Sequence, residues 1–253
     1  MKKKFDFRIS VLPPLVVFVV IVAVWQILVR VLQVPITILP APSDVVKALF
    51  EFWPLLWPHY WETIWTLLVG VIISFPIAIL VAAVLSQFFV AEKAFSPILI
   101  VMVTTPMITL VPIFMLLWGY DSWVKLICVM FQAIPVIALN SYTGFNKIEK
   151  QKLDLMRAFG ASKLQTFIKC VFPNALPQVF TGAKLGCVFG TIALIAAEMN
   201  GFDVGIGSRA TYYAALIRVD IVLACVLLIA ILGIVLFSLV SALERKLVVW
   251  KNL

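Results

Sequence analysis

Six long apolar segments, separated by shorter polar stretches, dominate the hydrophobic pattern of the chain. A helix that crosses a bilayer needs about 20 mainly apolar residues, and in hydrocarbon a helix satisfies its own backbone hydrogen bonds. Segments of this length lie near residues 11–32, 63–86, 96–117, 123–143, 175–199 and 219–243. The pattern therefore predicts an all-α, polytopic bundle of about six transmembrane helices.

The composition agrees with a membrane protein. Of the 253 residues, 64% are hydrophobic and the mean hydropathy is +1.13, whereas an average soluble domain is about 45–50% apolar. The first apolar segment also exceeds the apolar core of a cleaved secretory signal, which is about 7–15 residues long. We therefore expect it to remain as the first span.

The basic residues predict an orientation. The formal net charge is +8, and a cytoplasmic excess of Lys and Arg explains it without nucleic acid. If the amino end is cytoplasmic, the inner side holds Lys2, Lys3, Lys4, Arg8, Lys93, Lys147, Lys150, Lys152, Arg157, Lys163, Lys169, Arg245, Lys246 and Lys251. The outer side then holds Arg30, Lys47, Lys125, Arg209 and Arg218. Fourteen basic residues on the inner side against five on the outer side predict that both termini are cytoplasmic.

The sequence shows few residues suited to chemistry. Four cysteines, at positions 128, 170, 187 and 225, have no paired spacing, so we expect them to be unpaired. His59 is the single histidine, which argues against a metal site, and there is no GxxxxGK[ST] motif for ATP. We expect neither catalysis nor a bound cofactor in this chain.

The first outer loop, residues 33–62, is predicted to carry an interfacial helix. Ser43 and Asp44 can cap a helix that starts at Val45. Its apolar face would consist of Val45, Val46, Leu49 and Phe50, followed by the aromatic anchors Trp53 and Trp57. Such a helix is typical of a membrane–water interface, and a purely structural ledge is the interpretation that the pattern favours.

The inner loop, residues 144–175, is predicted to hold two short helices with a sharp corner. Gly160 permits the positive φ that ends a helix, and Ser162 with Gln165 forms a capping box that starts another. We expect Pro173 to end this second helix and Pro177 to begin the next span. Its apolar periodicity favours lipid-surface binding and docking of a protein partner equally.

The resemblance of this loop to a known family favours docking of a protein partner over lipid-surface binding. The stretch LDLMRAFGASKLQTFIKCVFPNALPQVFTGAKLG (153–186) resembles the signature loop of ATP-binding cassette (ABC) importer permeases. Asp154, Gly160 and the pair Leu176-Pro177 stand at the acidic, glycine and Leu-Pro positions, while Leu155 and Met156 replace two alanines of the pattern. LPAPSDV (39–45), TTPMITLVPIFMLLWGY (104–120), IAAEMNG (195–201), GIGSRATYY (205–213) and LERKLVVW (243–250) are similar to the nitrate/sulfonate/taurine/bicarbonate branch.

This resemblance implies a type I importer permease fold, with residues 1–253 forming one permease domain of the bacterial cytoplasmic membrane. Two permease copies, expected to be identical, would pair above a cytoplasmic ATPase dimer that carries ATP and Mg²⁺, and an extracytoplasmic binding protein would deliver the substrate. A coupling helix near residues 153–163 would contact the ATPase. The implied coupling residues are Asp154, Arg157, Phe159, Gly160, Ala161 and Lys163.

A second group of residues is predicted to line the substrate pathway or its gate: Thr105, Met107, Gln132, Asn140 and Glu198. Prolines at 76, 106, 112 and 135 interrupt spans, and near Pro106 the freed carbonyl would be that of Met102. The hydroxyl groups of Thr104, Thr105 and Thr109 could satisfy such groups or face the pore.

Several polar positions in the spans have alternative explanations. Glu198 either serves a gate or pairs with Arg209, and Gln132 and Asn140 either contact substrate or bond between helices. Lys184 is expected to snorkel toward the cytoplasm, and GCVFG (186–190) to pack helices closely.

Two other functional classes fit the pattern less well. A secondary transporter would need its own coupling-ion site and often an inverted repeat, and a membrane anchor or assembly factor would not need the corner in the inner loop. The substrate is expected to be a small anion, such as a sulfonate, nitrate or taurine, or a heterocycle of the thiamine-precursor type.

Overall fold

The computed structural model describes residues 7–249, with side-chain detail from residue 12 onward. It consists of α1 (Phe7–Val31), α2 (Pro42–Glu51), α3 (Trp53–Gln87), α4 (Phe89–Thr104), α5 (Met107–Trp118), α6 (Ser122–Asn146), α7 (Lys150–Ala158), α8 (Lys163–Thr166), a π-helical turn (Phe167–Val171), α9 (Phe172–Met199), α10 (Ile206–Ala215) and α11 (Val219–Leu247). The all-α prediction is confirmed. Lys2, Lys3, Lys4 and Lys251, which contribute to the predicted orientation, and Trp250 of the terminal motif lie outside the described residues.

Five helical stretches are long and apolar enough to cross a membrane: Leu12–Val31, Trp53–Gln87, Ser122–Asn146, Lys163–Met199 and Val219–Leu247. They correspond to five of the six predicted spans. The sixth predicted span, over 96–117, corresponds to the pair α4 and α5, which together are apolar and long enough to count as a span but are bent by 99° at the break between them. Thr105 is extended (ψ 122°), as the residue before a proline usually is, and Pro106 precedes the first residue of α5.

The described chain divides into two compact units. The first contains the residues up to Trp57 together with Arg209–Leu228, and the second contains Pro58–Ser208 together with the residues from Ile229 onward. The expectation of one permease domain over residues 1–253 stays a prediction.

In the first unit, the end of α1 is tied to the start of α2. Arg30 donates to the Asp44 carboxylate over 2.6 Å, and the Gln26 amide exchanges two hydrogen bonds with Ser43. The predicted cap of α2 is therefore wrong by several residues: Ala41 is the N-cap, and Asp44 accepts from its backbone N–H. Because Pro42 suits the first helical turn, the helix begins there rather than at Val45.

The apolar face predicted for α2 is only partly correct. Val45 is buried together with Ala48, whereas Val46 and Phe50 are 45% and 75% exposed. One side of this helix is thus buried, and apolar side chains remain exposed on the other side. That arrangement agrees with an interfacial helix, which stays a prediction.

In the second unit, α6 and α9 pack at close range through glycines. A Cβ atom at Gly186 would come within 2.6 Å of the Ile137 side chain, and one at Gly190 within 3.2 Å of Val129. The packing role predicted for residues 186–190 is confirmed. Gly182, one helical turn earlier, extends the same contact, because its Cβ would lie 2.9 Å from the Cβ of Asn140.

Pro173 does not end the helix that starts after the corner. That helix continues from Lys163 to Met199, with Pro173 in the first turn of α9 and Pro177 inside it. The π-helical turn just before Pro173 explains the difference, because the N–H of Phe172 bonds to the carbonyl of Phe167, five residues back. A wider turn accommodates the proline, so the predicted helix end and span start at these prolines are wrong.

The four cysteines are buried and free of disulfides in the part of the chain that the structure describes.

Candidate coupling loop and polar clusters of the spans

The inner loop has the predicted corner. Helix α7 ends in a Schellman motif: the N–H of Gly160 donates to the carbonyl of Arg157 (2.9 Å), and that of Ala161 to Met156 (3.0 Å). Gly160 has φ +71°, the left-handed conformation in which glycine carries no steric cost. Two nested hydrogen bonds and one glycine therefore define the turn.

The next helix starts with the predicted capping box. The N–H of Gln165 donates to the Ser162 hydroxyl (3.3 Å), and the Gln165 side chain accepts from the N–H of Ser162 (2.9 Å). The backbone groups at the end of α7 and at the start of α8 thus find hydrogen-bond partners within a few residues. The hydrogen bonds that close the turn therefore come from residues within it.

Helix α7 exposes an apolar and charged surface. None of its residues is buried, and Leu155 and Phe159 at its end are 57% and 79% exposed. Asp154 and Arg157 form an exposed ion pair over 3.3 Å. Large apolar side chains that protrude next to charges are typical of a protein-binding surface.

The six predicted coupling residues lie together in this segment. Asp154, Arg157, Phe159, Gly160 and Lys163 are exposed, and Ala161 is half-buried. All six thus lie within ten consecutive residues around the corner. Their contact with an ATPase stays a prediction.

The predicted pathway residues fall into three separate places. The first is the break between α4 and α5, where the Gln132 amide donates to the carbonyl of Thr105 (3.1 Å). The other amide atom, Oε1, is buried and unpartnered among the described residues. Met107 is buried close by in the chain, in an apolar cluster with Val111 and Cys128.

The threonines at this break bond to neighbouring backbone, though not as predicted. Thr105 donates to Val101 (2.7 Å), Thr104 to Ile100 and Val101, and Thr109 to Pro106 (2.7 Å). No described side-chain hydrogen bond reaches Met102, whose carbonyl was expected to need one. Because Pro106 follows the end of α4 rather than interrupting it, the break lies between two helices.

Asn140 lies in a second place. Its side-chain amide donates to the carbonyl of Val136 in its own helix (2.8 Å), at the close contact with Gly182. The hydrogen bond described for Asn140 is therefore within its own helix and not between helices, and contact with substrate stays a prediction.

Glu198 forms a third site, which we name the clasp: Thr63, Glu198, Ile206 and Gly207. The Glu198 carboxylate is fully buried and accepts from the Thr63 hydroxyl (2.8 Å) and from the N–H of Gly207 (2.9 Å). The N–H of Ile206 donates to the same hydroxyl group (2.9 Å). One carboxylate and one hydroxyl group thereby join α3, the end of α9 and the start of α10.

The loop that leads into the clasp is held at two more points. The N–H of Gly205 donates to Nδ1 of His59 (3.3 Å), and Lys125 donates to the carbonyl of Val204 (3.1 Å). Gly205 has φ +140°, and a Cβ there would overlap the Glu198 carboxyl group. The loop therefore follows the carboxylate closely, and only glycine fits at this position.

Lys125 is the main residue whose environment was predicted wrongly from the sequence. It was counted as an outer cation, but its side chain is 1% exposed and bonded to Glu62 (3.1 Å). Its ammonium group also lies 5.7 Å from the Phe202 ring centre. The available signal was an ionisable residue at the start of an apolar segment, which in membrane proteins usually has a partner.

Lys184 also has a partner that sequence reasoning missed. Its ammonium group forms an ion pair with Glu244 near the end of α11 and lies 5.5 Å from the Phe237 ring centre. Sixty residues separate the two charges in sequence, so no local pattern links them. The pair accounts for a lysine inside a span, and the predicted snorkelling stays untested.

Apolar spans, an exposed helix and a turn closed by local hydrogen bonds define a polytopic membrane protein with an exposed apolar and charged loop. Comparison with known proteins identifies it further. Residues 74–249 match the binding-protein-dependent transport system inner membrane component family, and the chain belongs to this family of ABC importer permeases. This assignment replaces the secondary-transporter and assembly-factor alternatives.

Two relatives and one structure illustrate the similarity. The formylaminopyrimidine transport permease protein ThiX of Halalkalibacterium halodurans is 28% identical over 73% of this chain and 74% of its own length. The putative aliphatic sulfonates transport permease protein SsuC of Bacillus subtilis is 26% identical over 64% of this chain and 58% of its own. An inward-facing structure of the MetNI methionine ABC transporter covers 75% of this chain and 97% of its own, with a TM-score of 0.58 and 20% identity, which supports the predicted fold.

Proposed function

We propose that this permease is driven by a separate ATPase dimer, which binds ATP and Mg²⁺ and contacts the exposed surface of α7. The observation that carries the proposal is the continuity of the helix after the corner, which runs from Lys163 to Met199. Its first turn is capped at Ser162, and Glu198 of the clasp lies in its last turn. A displacement of α7 therefore acts on one element that extends to the clasp.

The length of this element supports the proposal. A helix of 37 residues spans roughly 55 Å at 1.5 Å per residue, which exceeds the thickness of a bilayer. The Schellman motif and the capping box make the corner rigid, so force applied to Phe159 is not absorbed by a flexible joint. ATP-driven closure of the ATPase dimer would then switch the pathway between inward- and outward-facing states.

Cysteine cross-linking tests the contact. In a chain without its four native cysteines, Phe159→Cys is paired with cysteines in the cognate ATPase, and Lys246→Cys serves as a control exposed on the same predicted side. We expect an ATP-sensitive cross-link from position 159 and none from position 246. Equal cross-linking from both positions, or none with folded partners, would remove α7 as the coupling element.

We further infer that the substrate is a neutral or weakly charged heterocycle rather than an anion. An anion pathway would favour unpaired positive charge, yet Lys125 is paired with Glu62 and Lys184 with Glu244. Neither lysine offers spare charge to a sulfonate. The proposal rests on these pairings and not on similarity, because the formylaminopyrimidine permease and the permeases for sulfonates and nitrate are all 26–29% identical to this chain.

Uptake competition distinguishes the two substrate classes. Cells with the complete importer, including its binding protein, receive labelled formylaminopyrimidine with an excess of unlabelled aminopyrimidine or of an alkanesulfonate. We expect inhibition by the aminopyrimidine alone. Sulfonate transport by the same cells, without aminopyrimidine inhibition, would assign the anion class instead.

Assembly and orientation complete the proposal. Closed two-fold pairs are the commonest oligomers, so we propose a homodimer of permeases in the bacterial cytoplasmic membrane, with both termini inside. With Lys125 buried, the bias of predicted loop cations becomes fourteen against four, which favours the same orientation. Co-purification of two differently tagged copies tests the homodimer, and recovery of one tag alone would contradict it.

A further inference from the structure

A polar cleft lies behind the corner of the inner loop, wholly within the second unit. Its volume is about 370 Å³, and it lies between the ends of α3 and α6 and the segment from Leu153 to Val171. Arg157 and Lys163 line it together with the amide groups of Gln87 and Asn146. Positive charges and neutral hydrogen-bonding groups therefore face the same space.

An apolar cleft of about 330 Å³ adjoins the polar one and shares Gln87, Lys163 and Phe167 with it. Val84, Phe88 and Leu164 line the apolar part and are 49%, 62% and 68% exposed. The two clefts form one continuous surface, cationic at one end and apolar at the other. Such a surface complements an amphiphile with an anionic head.

The charge of this surface is only weakly compensated. Lys163 forms no salt bridge in the described part of the chain, and Arg157 pairs with Asp154, although both side chains are mostly exposed. Exposed pairs of this kind contribute little, so Arg157 can exchange its partner for a phosphate group. Neither set of lining residues includes a carboxylate.

We propose that this double cleft binds an anionic phospholipid of the inner leaflet. Its phosphate contacts Arg157 and Lys163, and its acyl chains follow Val84, Phe88 and Leu164. The proposal rests on the proposed orientation, which places this end of the spans at the cytoplasmic interface. Phe159, which lines neither cleft, is left exposed by a lipid bound there.

Native mass spectrometry of the purified full chain in detergent tests the site. The probes are dioleoylphosphatidylglycerol and dioleoylphosphatidylcholine at equal concentration. We expect a preference for the phosphatidylglycerol. Gln87→Glu adds a negative charge to both clefts. This variant should weaken the binding of phosphatidylglycerol about fivefold, the effect of one charge near a membrane surface.

Lys93→Gln is the matched control, because Lys93 is exposed on the same predicted side and lines neither cleft. Equal binding of the two lipids, or equal losses in both variants, would overturn the proposal. Displacement of the lipid by millimolar glycerol phosphate would also overturn it, and would assign the cleft to a soluble phosphate. If Gln87→Glu does not fold, Lys163→Gln replaces it with the same expected loss.

The assay needs no ATPase, so its outcome is independent of the cross-linking experiment. Lipid selectivity without a cross-link would preserve the lipid site and reject the coupling role of α7. A cross-link without lipid selectivity would support the coupling role of α7 and reject the lipid site.

Discussion

Glu198 shows how one buried carboxylate can organise a membrane helix end. Its two hydrogen bonds come from a hydroxyl group and a backbone N–H, so each of its oxygens has a donor from a different element. A salt bridge to Arg209, the other expected role, stays a prediction. The carboxylate faces the first residues of α10, where a helix favours negative charge.

We predict that Glu198→Gln lowers uptake at least about tenfold while insertion and assembly persist. A glutamine side chain accepts through one atom only, so one hydrogen bond of the clasp is lost, and bonds to charged groups contribute about 1.5–3 kcal/mol. Uptake and the yield of the assembled importer are measured in parallel.

Thr63→Val is the matched variant, because valine keeps the shape of threonine and removes the hydroxyl group that bonds to both Glu198 and Ile206. It should impair uptake at least as strongly. Normal uptake kinetics in Glu198→Gln would show that the clasp has no part in transport.

Gly160 permits a prediction that depends on the backbone alone. Nothing lies within 4 Å of a Cβ built at this position, so a substitution causes no collision and acts through φ +71°. A β-branched residue at such an angle costs about 1–3 kcal/mol. We predict that Gly160→Val uncouples ATPase stimulation from uptake while the chain remains inserted.

Gly160→Asn provides the comparison, since asparagine adopts the left-handed conformation more readily. It should retain most of the coupling. Uptake and ATPase stimulation at wild-type levels in Gly160→Val would refute the role of the corner.

The contact between helices α6 and α9 depends on side-chain size. A Cβ at Gly182 would approach the Asn140 Cβ to 2.9 Å and the Ile137 carbonyl oxygen to 3.1 Å, and neither atom moves without its backbone. We predict that Gly182→Ala destabilises the protein by about 1–3 kcal/mol. Thermal unfolding in detergent measures the loss.

Gly233→Ala in α11 serves as the control, because no atom lies within 4 Å of its added Cβ. Alanine favours a helix over glycine by about 0.5–1 kcal/mol, so this variant should be as stable as the wild type or more so. Equal destabilisation of both variants would mean that close approach is not the reason for glycine at position 182.

The orientation of the whole chain is tested by labelling single cysteines in intact cells. Phe50→Cys in α2 and Phe159→Cys after α7 are strongly exposed positions, at 75% and 79%. The charge bias predicts that an impermeant maleimide labels position 50 from outside and position 159 only after permeabilisation. The four native cysteines are buried, which keeps background labelling low. The opposite pattern would invert the topology and exclude a cytoplasmic partner for α7.

The sequence by itself determined the features that neighbouring residues decide. Five spans follow from apolar length, because hydrocarbon requires it, and the corner follows from Gly160, Ser162 and Gln165, which lie within five positions of one another. The family resemblance rests on the same local motifs. The rule that a proline ends a helix gave a wrong prediction at Pro173, because the π-helical turn before it is a second way to accommodate a proline.

Tertiary structure alone decided the buried pairings. Glu198 meets Thr63 across 135 residues, Lys125 meets Glu62 across 63, and Lys184 meets Glu244 across 60. Periodicity and capping carry no information over such separations, since these contacts depend on which helices pack together and at what distance. The 99° bend between α4 and α5 and the cleft behind the corner have the same origin, because each results from elements that meet only in the folded protein.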